Sequence, residues 1–156
     1  MQTRKWFLSV YFSLAAIAIG ELFEQIVFVP NWLIGDVDAN LAHFRAFKHT
    51  TDPGMFYFPL SILFFVAVFF LLKQNLSTAQ RKATQQTFIL FGIVFVLTLY
   101  VIIQINVPAI DNSDFSGEAL EFKMQLWAIL NCLRFLLPAY ALYWLTQAFI
   151  AIKQEQ

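Results

Sequence analysis

Two carboxylates, Glu21 and Glu24, lie three positions apart near the end of an apolar run over residues 6–29. A run of this length can cross a bilayer, and a carboxylate at bilayer depth costs roughly 2.5–3.5 kcal/mol on insertion scales. Gln25 lies one helical turn from Glu21, so two acids and an amide lie close together on one helix. We expect this polar patch to face a bundle interior, where a carboxylate can hold a proton or act as a general base.

Arg134 is the one basic residue placed well inside an apolar run of this chain. Trp127 and Asn131 share its helical face at three- and four-residue steps. A guanidinium at that depth needs an anion, and the acids at a comparable level are Glu21 and Glu24. The pattern therefore predicts an ion pair across a helix bundle.

The two carboxylates are expected to divide two tasks. A stripe of small residues, of the kind that lets helices approach closely, runs along the first span toward Glu24 and consists of Ser9, Ser13, Ala16 and Gly20. We therefore predict that Glu24 pairs with Arg134 and that Glu21 stays available for chemistry. The opposite assignment is left open.

Further polar groups are expected at the same level. Pro108 cannot donate to the carbonyl of Gln104, which leaves a polar backbone group beside Asn106 near the outer end of the third span. Tyr57 is the member of the second span placed to reach them. The predicted catalytic residues are Glu21, Glu24 and Arg134, and the predicted substrate-binding residues are Gln25, His43, Tyr57, Gln104, Asn106, Trp127 and Asn131.

The two histidines do not predict a metal site. His43 and His49 are six positions apart, so they do not share a helical face in the way that two metal-ligating imidazoles four positions apart do. No Glu-x-x-His motif of a carboxylate-bridged metal pair occurs either. If the outer loop folds down, His43 can reach Glu21 or Glu24 and shuttle protons.

The composition places the chain in a membrane. Of its 156 residues, 60% are hydrophobic and 13% charged, and the mean hydropathy is +0.66. Ten basic and ten acidic residues cancel, so the charge balance does not favour nucleic acid as a partner. The single cysteine, Cys132, excludes an intrachain disulfide.

The apolar runs predict an all-α, four-helix transmembrane bundle formed by one domain over residues 1–156. The spans are predicted at about 6–29, 55–72, 88–107 and 120–150. Lysine and arginine concentrate on the side of both termini, which places both termini in the cytoplasm. We expect an integral protein of a bacterial inner membrane.

The connections differ in character. Ser77 and Gln80 have capping-box spacing, which predicts that the third helix begins near Thr78 in the cytoplasm. The outer segment over residues 30–53 is expected to hold a short helix that runs to about His49 and acts as a lid. Asp36 or Asp38 is expected to cap this helix. Its apolar residues are spaced to face the membrane: Leu41, Phe44 and Phe47.

Part of the chain resembles a known family. Asn106-Val107-Pro108 with the following Asn112, and then Trp127, Asn131 and Arg134 in a fourth span, are similar to the small four-span membrane proteins of the DUF1772, anthrone oxygenase-like family. Fungal members of that family oxidise anthrones to quinones. The resemblance implies a site for a flat, lipophilic substrate.

Together these observations predict an outward-facing polar pocket that binds, and oxidises or isomerises, a small quinone- or anthrone-like molecule. In this hypothesis Arg134 holds a carbonyl or anionic oxygen, one carboxylate moves a proton, Asn106 and Asn131 orient the ligand, and Trp127 stacks on it. A proton-coupled exporter that uses a span-one glutamate is the first alternative, and an accessory subunit of a membrane complex is the second. The sequence identifies no cofactor. We expect membrane lipid and the lipophilic ligand as partners, and a homo-oligomer is possible.

Overall fold

The computed structural model describes residues 2–47 and 54–150, and four long helices dominate these residues. They are α1 (Gln2–Leu33), α3 (Gly54–Leu72), α4 (Thr78–Asp111) and α5 (Gly117–Ile150), and a shorter helix, α2 (Val37–Phe47), follows α1. All four long helices are long and apolar enough to cross a membrane. The predicted all-α bundle with four membrane spans is confirmed.

The bundle packs unevenly around its axis. Helix α1 packs along both α3 and α5, and α4 packs along α5, whereas the contact between α3 and α4 is the smallest of these four. An inner hydrophobic cluster, centred on Leu14, Phe64 and Phe91, fills the half of the bundle near the termini. An outer cluster, centred on Trp32 and Trp127, fills the opposite half.

Helix α4 begins as its sequence predicts. Ser77 accepts a hydrogen bond from the backbone N–H of Gln80, and the Gln80 side chain accepts one from the backbone N–H of Ser77. The capping box is thereby confirmed. It satisfies two donors that the first turn of a helix would otherwise leave open.

Helix α1 widens where it carries the second carboxylate. Residues Glu24–Phe28 form a π-helical turn, after which the helix continues through Pro30 to Leu33. The prediction that the outer segment begins at Pro30 is wrong, because Pro30 lies in the first turn of the resumed α-helix, where a missing N–H costs little. The chain turns only at Gly35, whose φ of 91° suits glycine.

The outer end of α4 is also π-helical. The wider turns extend over Ile102–Asp111 and contain Pro108. The carbonyl of Gln104, expected to be left open by Pro108, accepts a hydrogen bond of 3.3 Å from Lys123 Nζ on α5. A lysine of the neighbouring helix therefore satisfies this polar backbone group near the outer end of α4.

Helix α2 covers the outer end of the bundle. Asp36 caps it by accepting a hydrogen bond of 3.1 Å from the backbone N–H of Ala39. Leu41 is fully buried in the outer cluster and Phe44 packs against that cluster, so the prediction that these residues face the membrane is wrong. The apolar face of α2 packs on the protein's own helices instead. The side chain of Phe47 and the predicted helix end at His49 lie outside the described residues.

Candidate functional site

A buried ion pair joins the first and last helices of the bundle. Arg134 Nη2 lies 2.5 Å from Glu21 Oε1, and the two residues are 4% and 1% exposed. The predicted pair between span one and span four is confirmed, but its acid is Glu21, so the assignment of Glu24 to this role is wrong. Glu21 belongs to the last regular turns of α1, before the π-helical turn that carries Glu24.

Asn131 extends the ion pair into a small network. Its Nδ2 donates to the backbone carbonyl of Glu21 and to Oε1 of Gln25, each at 3.1 Å. Asn131 lies one turn before Arg134 on α5, and Gln25 lies one turn after Glu21 on α1. Side chains from two helical turns of each partner therefore lock α1 and α5 at this level.

Trp127 links α5 to α4. Its indole Nε1 donates a hydrogen bond of 3.0 Å to Oδ1 of Asn106. The indole is buried, and such a polar edge normally finds a partner. Three helices thus meet at one level, as the sequence predicts.

A cavity of about 180 Å³ lies beside this network, between the inner and outer clusters. Ile17, Phe91 and Val94 line it, as do the aromatic residues at its outer end. The polar side chains among its lining residues are Glu21, Glu24, Tyr57, Ser61, Thr98, Asn106 and Arg134. The cavity is thus an apolar space with charged and hydrogen-bonding groups in its wall.

Part of the cavity wall also faces the lipid. Phe58 of α3 and Leu99 and Ile102 of α4 line the cavity, and they are 66%, 44% and 38% exposed on the surface of the bundle. They lie where α3 and α4 have their small contact. On this side, the residues that line the cavity are therefore also part of the outer surface of the bundle.

Aromatic side chains close the outer end of the cavity. Trp32 packs edge-on against Trp127 and Phe44, with ring centroids 4.7 and 5.0 Å apart, and Phe28 adjoins both Trp32 and Phe44. All four line the cavity. Phe44 comes from α2, so the helix predicted to act as a lid does cover the site.

Two long-range contacts hold α2 in place. Arg45 donates from Nε to the carbonyl of Ile110 at 2.6 Å and from Nη2 to that of Ala109 at 2.8 Å. Asp38 accepts a hydrogen bond of 2.9 Å from the backbone N–H of Gly117. Arg45 thus donates to unpaired carbonyls at the end of α4, and Asp38 accepts from an unpaired N–H at the start of α5.

Tyr57 reaches the cavity because Gly20 makes room for it. A Cβ placed on Gly20 would lie 2.8 Å from the Tyr57 hydroxyl oxygen and 3.0 Å from a ring carbon of Phe56. Gly20, the member of the small-residue stripe nearest Glu24, therefore does let α3 approach closely. The Tyr57 hydroxyl interacts with the carboxylate of Glu24.

Four of the predicted site residues do not line the cavity, and two of these, Gln25 and Asn131, bond to each other in the network beside it. Gln104 is exposed at the outer end of α4, on a different side of the helix from Asn106. His43 is exposed in a separate groove that it lines with Asn31 and Asn40, so it does not line the cavity. Local sequence patterns did not single out Phe28, Trp32, Arg45 or Thr98, whose contributions depend on the tertiary packing.

Three buried polar atoms of the network lack hydrogen-bond partners among the described residues. Glu21 Oε2, Arg134 Nε and Asn131 Oδ1 are buried, and none of them has a hydrogen-bond partner within residues 2–47 and 54–150. Buried polar atoms of this kind usually bind water or a ligand. Across the same two ranges, no group of three histidine, cysteine or acidic side chains is arranged to hold a metal ion.

No protein-family model, curated protein or solved structure matches this chain. The chemistry of its own residues is therefore the basis for a functional assignment. This chemistry is a buried guanidinium–carboxylate pair, with polar atoms that lack hydrogen-bond partners among the described residues, in the wall of a mostly apolar cavity.

Proposed function

We propose that this integral membrane protein binds a small, flat, lipophilic carbonyl compound of the quinone or anthrone type in the cavity beside Arg134. One observation carries the proposal: the buried Glu21–Arg134 pair, with an open donor and an open acceptor, lies in the wall of an apolar cavity. A pair that served only to fix the packing of α1 on α5 would need no such space beside it.

The size of the cavity favours a single ring. An apolar protein cavity of about 150 Å³ holds one benzene molecule. At about 180 Å³, the cavity next to Arg134 suits one substituted ring, such as a benzoquinone, better than the three fused rings of an anthrone. An aliphatic chain on that ring would leave between α3 and α4, past Phe58 and Leu99.

The polar groups suit a carbonyl oxygen. Arg134 Nε is the open donor, and a hydrogen bond from a cation is stronger than one from a neutral group. Trp127, held by Asn106, and Trp32 offer ring faces and edges for an aromatic ligand. Asn106, Trp127, Asn131 and Arg134 also carry the resemblance to the DUF1772 family, which supports a flat substrate at this position.

Proton transfer is the reaction that these residues support most directly. With the carbonyl oxygen of an enolisable ligand held by Arg134, the open Glu21 oxygen can accept a proton from the enolisable carbon and return it to the carbonyl oxygen, which is a keto–enol tautomerisation. This reaction needs no electron acceptor. Oxidation of the same ligand would also need an electron acceptor, and dioxygen is a suitable one.

The exporter alternative fits the contacts less well. A transport glutamate must release its proton to each side of the membrane in turn, whereas Glu21 is held by Arg134, and the outer end of the cavity is covered by Trp32 and Phe44. A carbonyl-binding site needs no such alternation.

The proposal is tested by filling the cavity. Ser61 lines it, whereas the adjacent Ile62 is exposed toward the lipid, so Ser61→Phe and Ile62→Phe add similar bulk to neighbouring positions of α3. We expect saturable binding of a prenylated 1,4-benzoquinone to detergent-solubilised protein, read from tryptophan quenching, to be lost in Ser61→Phe and kept in Ile62→Phe. Equal binding by both variants would refute the proposal.

A further inference from the structure

A second, larger concavity lies at the opposite end of the bundle, on the side assigned to the cytoplasm. It has a volume of about 580 Å³ and lies between the start of α4 and the end of α5. Its polar lining residues are Lys82, Gln86 and Thr87 from α4 and Tyr140, Trp144 and Gln147 from α5. None of these residues contributes to the cavity beside Arg134.

The groove becomes more apolar with depth. Because α4 enters the membrane as α5 leaves it, Lys82 and Gln147 lie near the cytoplasm, Thr87 and Trp144 lie deeper, and Leu90 and Tyr140 lie deepest. Lys82 and Thr87 are about 7.5 Å apart along the helix axis. The interfacial layer of a bilayer is about 5–8 Å deep on each side, so this sequence of residues matches the headgroup, the glycerol esters and the start of the acyl chains.

Thr87 carries an open hydroxyl in this groove. Thr84 and Thr98 on the same helix donate to the carbonyls of Gln80 and Val94 four residues earlier, at 2.8 and 2.9 Å. Thr87 is 1% exposed, and its Oγ1 has no partner among the described residues. A buried hydroxyl that lines a groove and makes no internal bond is available to a bound molecule.

The surrounding charge is of one sign. At this end of the bundle the charged side chains within the described ranges are all basic: Arg4, Lys5, Lys73, Arg81 and Lys82. Basic pockets between helices on the cytoplasmic side of a membrane favour anionic lipid headgroups. The exposed ring of Trp144 lies at the depth of the interface, where membrane proteins favour tryptophan.

We propose that this groove is a binding site for one anionic phospholipid. Lys82 contacts the phosphate, the Thr87 hydroxyl donates to an oxygen of the glycerol ester region, and Trp144 and Leu90 pack on the upper part of an acyl chain. Charge complementarity and the match of polarity to depth favour a lipid over a second copy of this chain, for which the basic rim would be repulsive.

The test is native mass spectrometry of the full chain, released from detergent after titration with phosphatidylglycerol or with phosphatidylcholine of the same chains. We expect phosphatidylglycerol to bind more tightly, and Lys82→Gln to weaken it about fivefold, the effect of one basic residue at a membrane surface. Lys73→Gln, an exposed lysine outside the groove, is the matched control and should leave the affinity unchanged.

A second pair of variants tests the hydroxyl. Thr87→Val keeps the shape of the side chain and should weaken phosphatidylglycerol binding by roughly threefold or more. Thr84→Val, whose hydroxyl already bonds within the helix, should not. Equal affinity for the two lipids, or equal effects of the two lysine variants, would overturn the proposal. The proposal would also be overturned if inorganic phosphate alone displaced the lipid. A dimer of the unmodified chain that dissociates in Lys82→Gln or Thr87→Val would overturn it as well.

Discussion

The carboxylate of Glu21 and the guanidinium of Arg134, 113 positions apart in the chain, meet at 2.5 Å inside the bundle with almost no exposed surface. Two charges in such a place are costly unless each neutralises the other. The pair therefore fixes how α1 lies against α5, and it also sets the electrostatics of the adjoining cavity.

Removing one charge of the pair should be strongly destabilising. Glu21→Gln leaves the Arg134 charge buried opposite a neutral amide, and we expect a loss of about 3–5 kcal/mol in the free energy of unfolding. Unfolding by SDS in mixed micelles measures it. Glu118→Gln, which neutralises an exposed carboxylate in the first turn of α5, is the control and should cost under about 1 kcal/mol. Equal losses for the two variants would contradict the structural role of the pair.

The close approach of α1 and α3 at Gly20 should not tolerate a methyl group. Gly20→Ala places a Cβ within about 3 Å of the rings of Phe56 and Tyr57, so we expect a loss of about 1–3 kcal/mol from overpacking. Gly92→Ala on α4 meets nothing within 4 Å and should gain up to about 1 kcal/mol from helix propensity. The melting temperatures of the two variants measure these effects. A loss of stability in Gly92→Ala as large as in Gly20→Ala would contradict the close packing at Gly20.

Arg45 should control the stability of the cover over the cavity. Arg45→Met removes two hydrogen bonds to the end of α4, each worth about 0.5–1.5 kcal/mol, and should speed amide exchange in α2 by roughly tenfold or more. Hydrogen exchange read by mass spectrometry measures this. Arg81→Met removes similar bonds to the carbonyls of Leu72 and Gln74 at the other end of the bundle. It should leave α2 unchanged, and faster exchange of α2 in both variants would show that Arg45 has no specific role.

The contact between Trp127 and Asn106 should appear as an energetic coupling. Trp127→Phe and Asn106→Ala each remove one partner of the 3.0 Å hydrogen bond, so the double variant should lose about 1 kcal/mol less than the sum of the two single losses. A double-mutant cycle of unfolding free energies in micelles measures the coupling. Additive losses would mean that the bond contributes nothing to the joining of α4 and α5.

Much of the fold could be predicted from local patterns. Long apolar runs can satisfy their backbone in a membrane only as helices, and the capping box at Ser77 and Gln80 needs only neighbouring residues. The ion pair could also be predicted, because Arg134 is the one basic residue deep in a span. Which acid it binds could not, because Glu21 and Glu24 are separated by only about 60° around the same helix, and the packing of α1 on α5 decides which of them meets Arg134.

The errors share this dependence on tertiary context. Gln104 lies in π-helical turns, so its direction does not follow the periodicity of a regular helix. Leu41 has the spacing of a membrane-facing residue. In the structure, however, the apolar face of α2 packs on the other helices, and Leu41 is buried in the same cluster as Trp32. Arg45 reaches its two carbonyls over 64 and 65 positions of sequence, and no local pattern signals such a contact.

The role of the pair in ligand binding is tested most directly by a variant that removes both of its charges at once. Glu21→Gln with Arg134→Gln places two neutral amides, which can hydrogen-bond to each other, where the ions were, and replacing both members of a buried pair costs far less than removing one. Binding of the prenylated benzoquinone to the folded double variant is then measured by tryptophan quenching. We expect an affinity at least about tenfold lower than that of the unmodified chain, because a hydrogen bond from a charged donor contributes about that much. An unchanged affinity would contradict this expectation and leave the pair with a purely structural role.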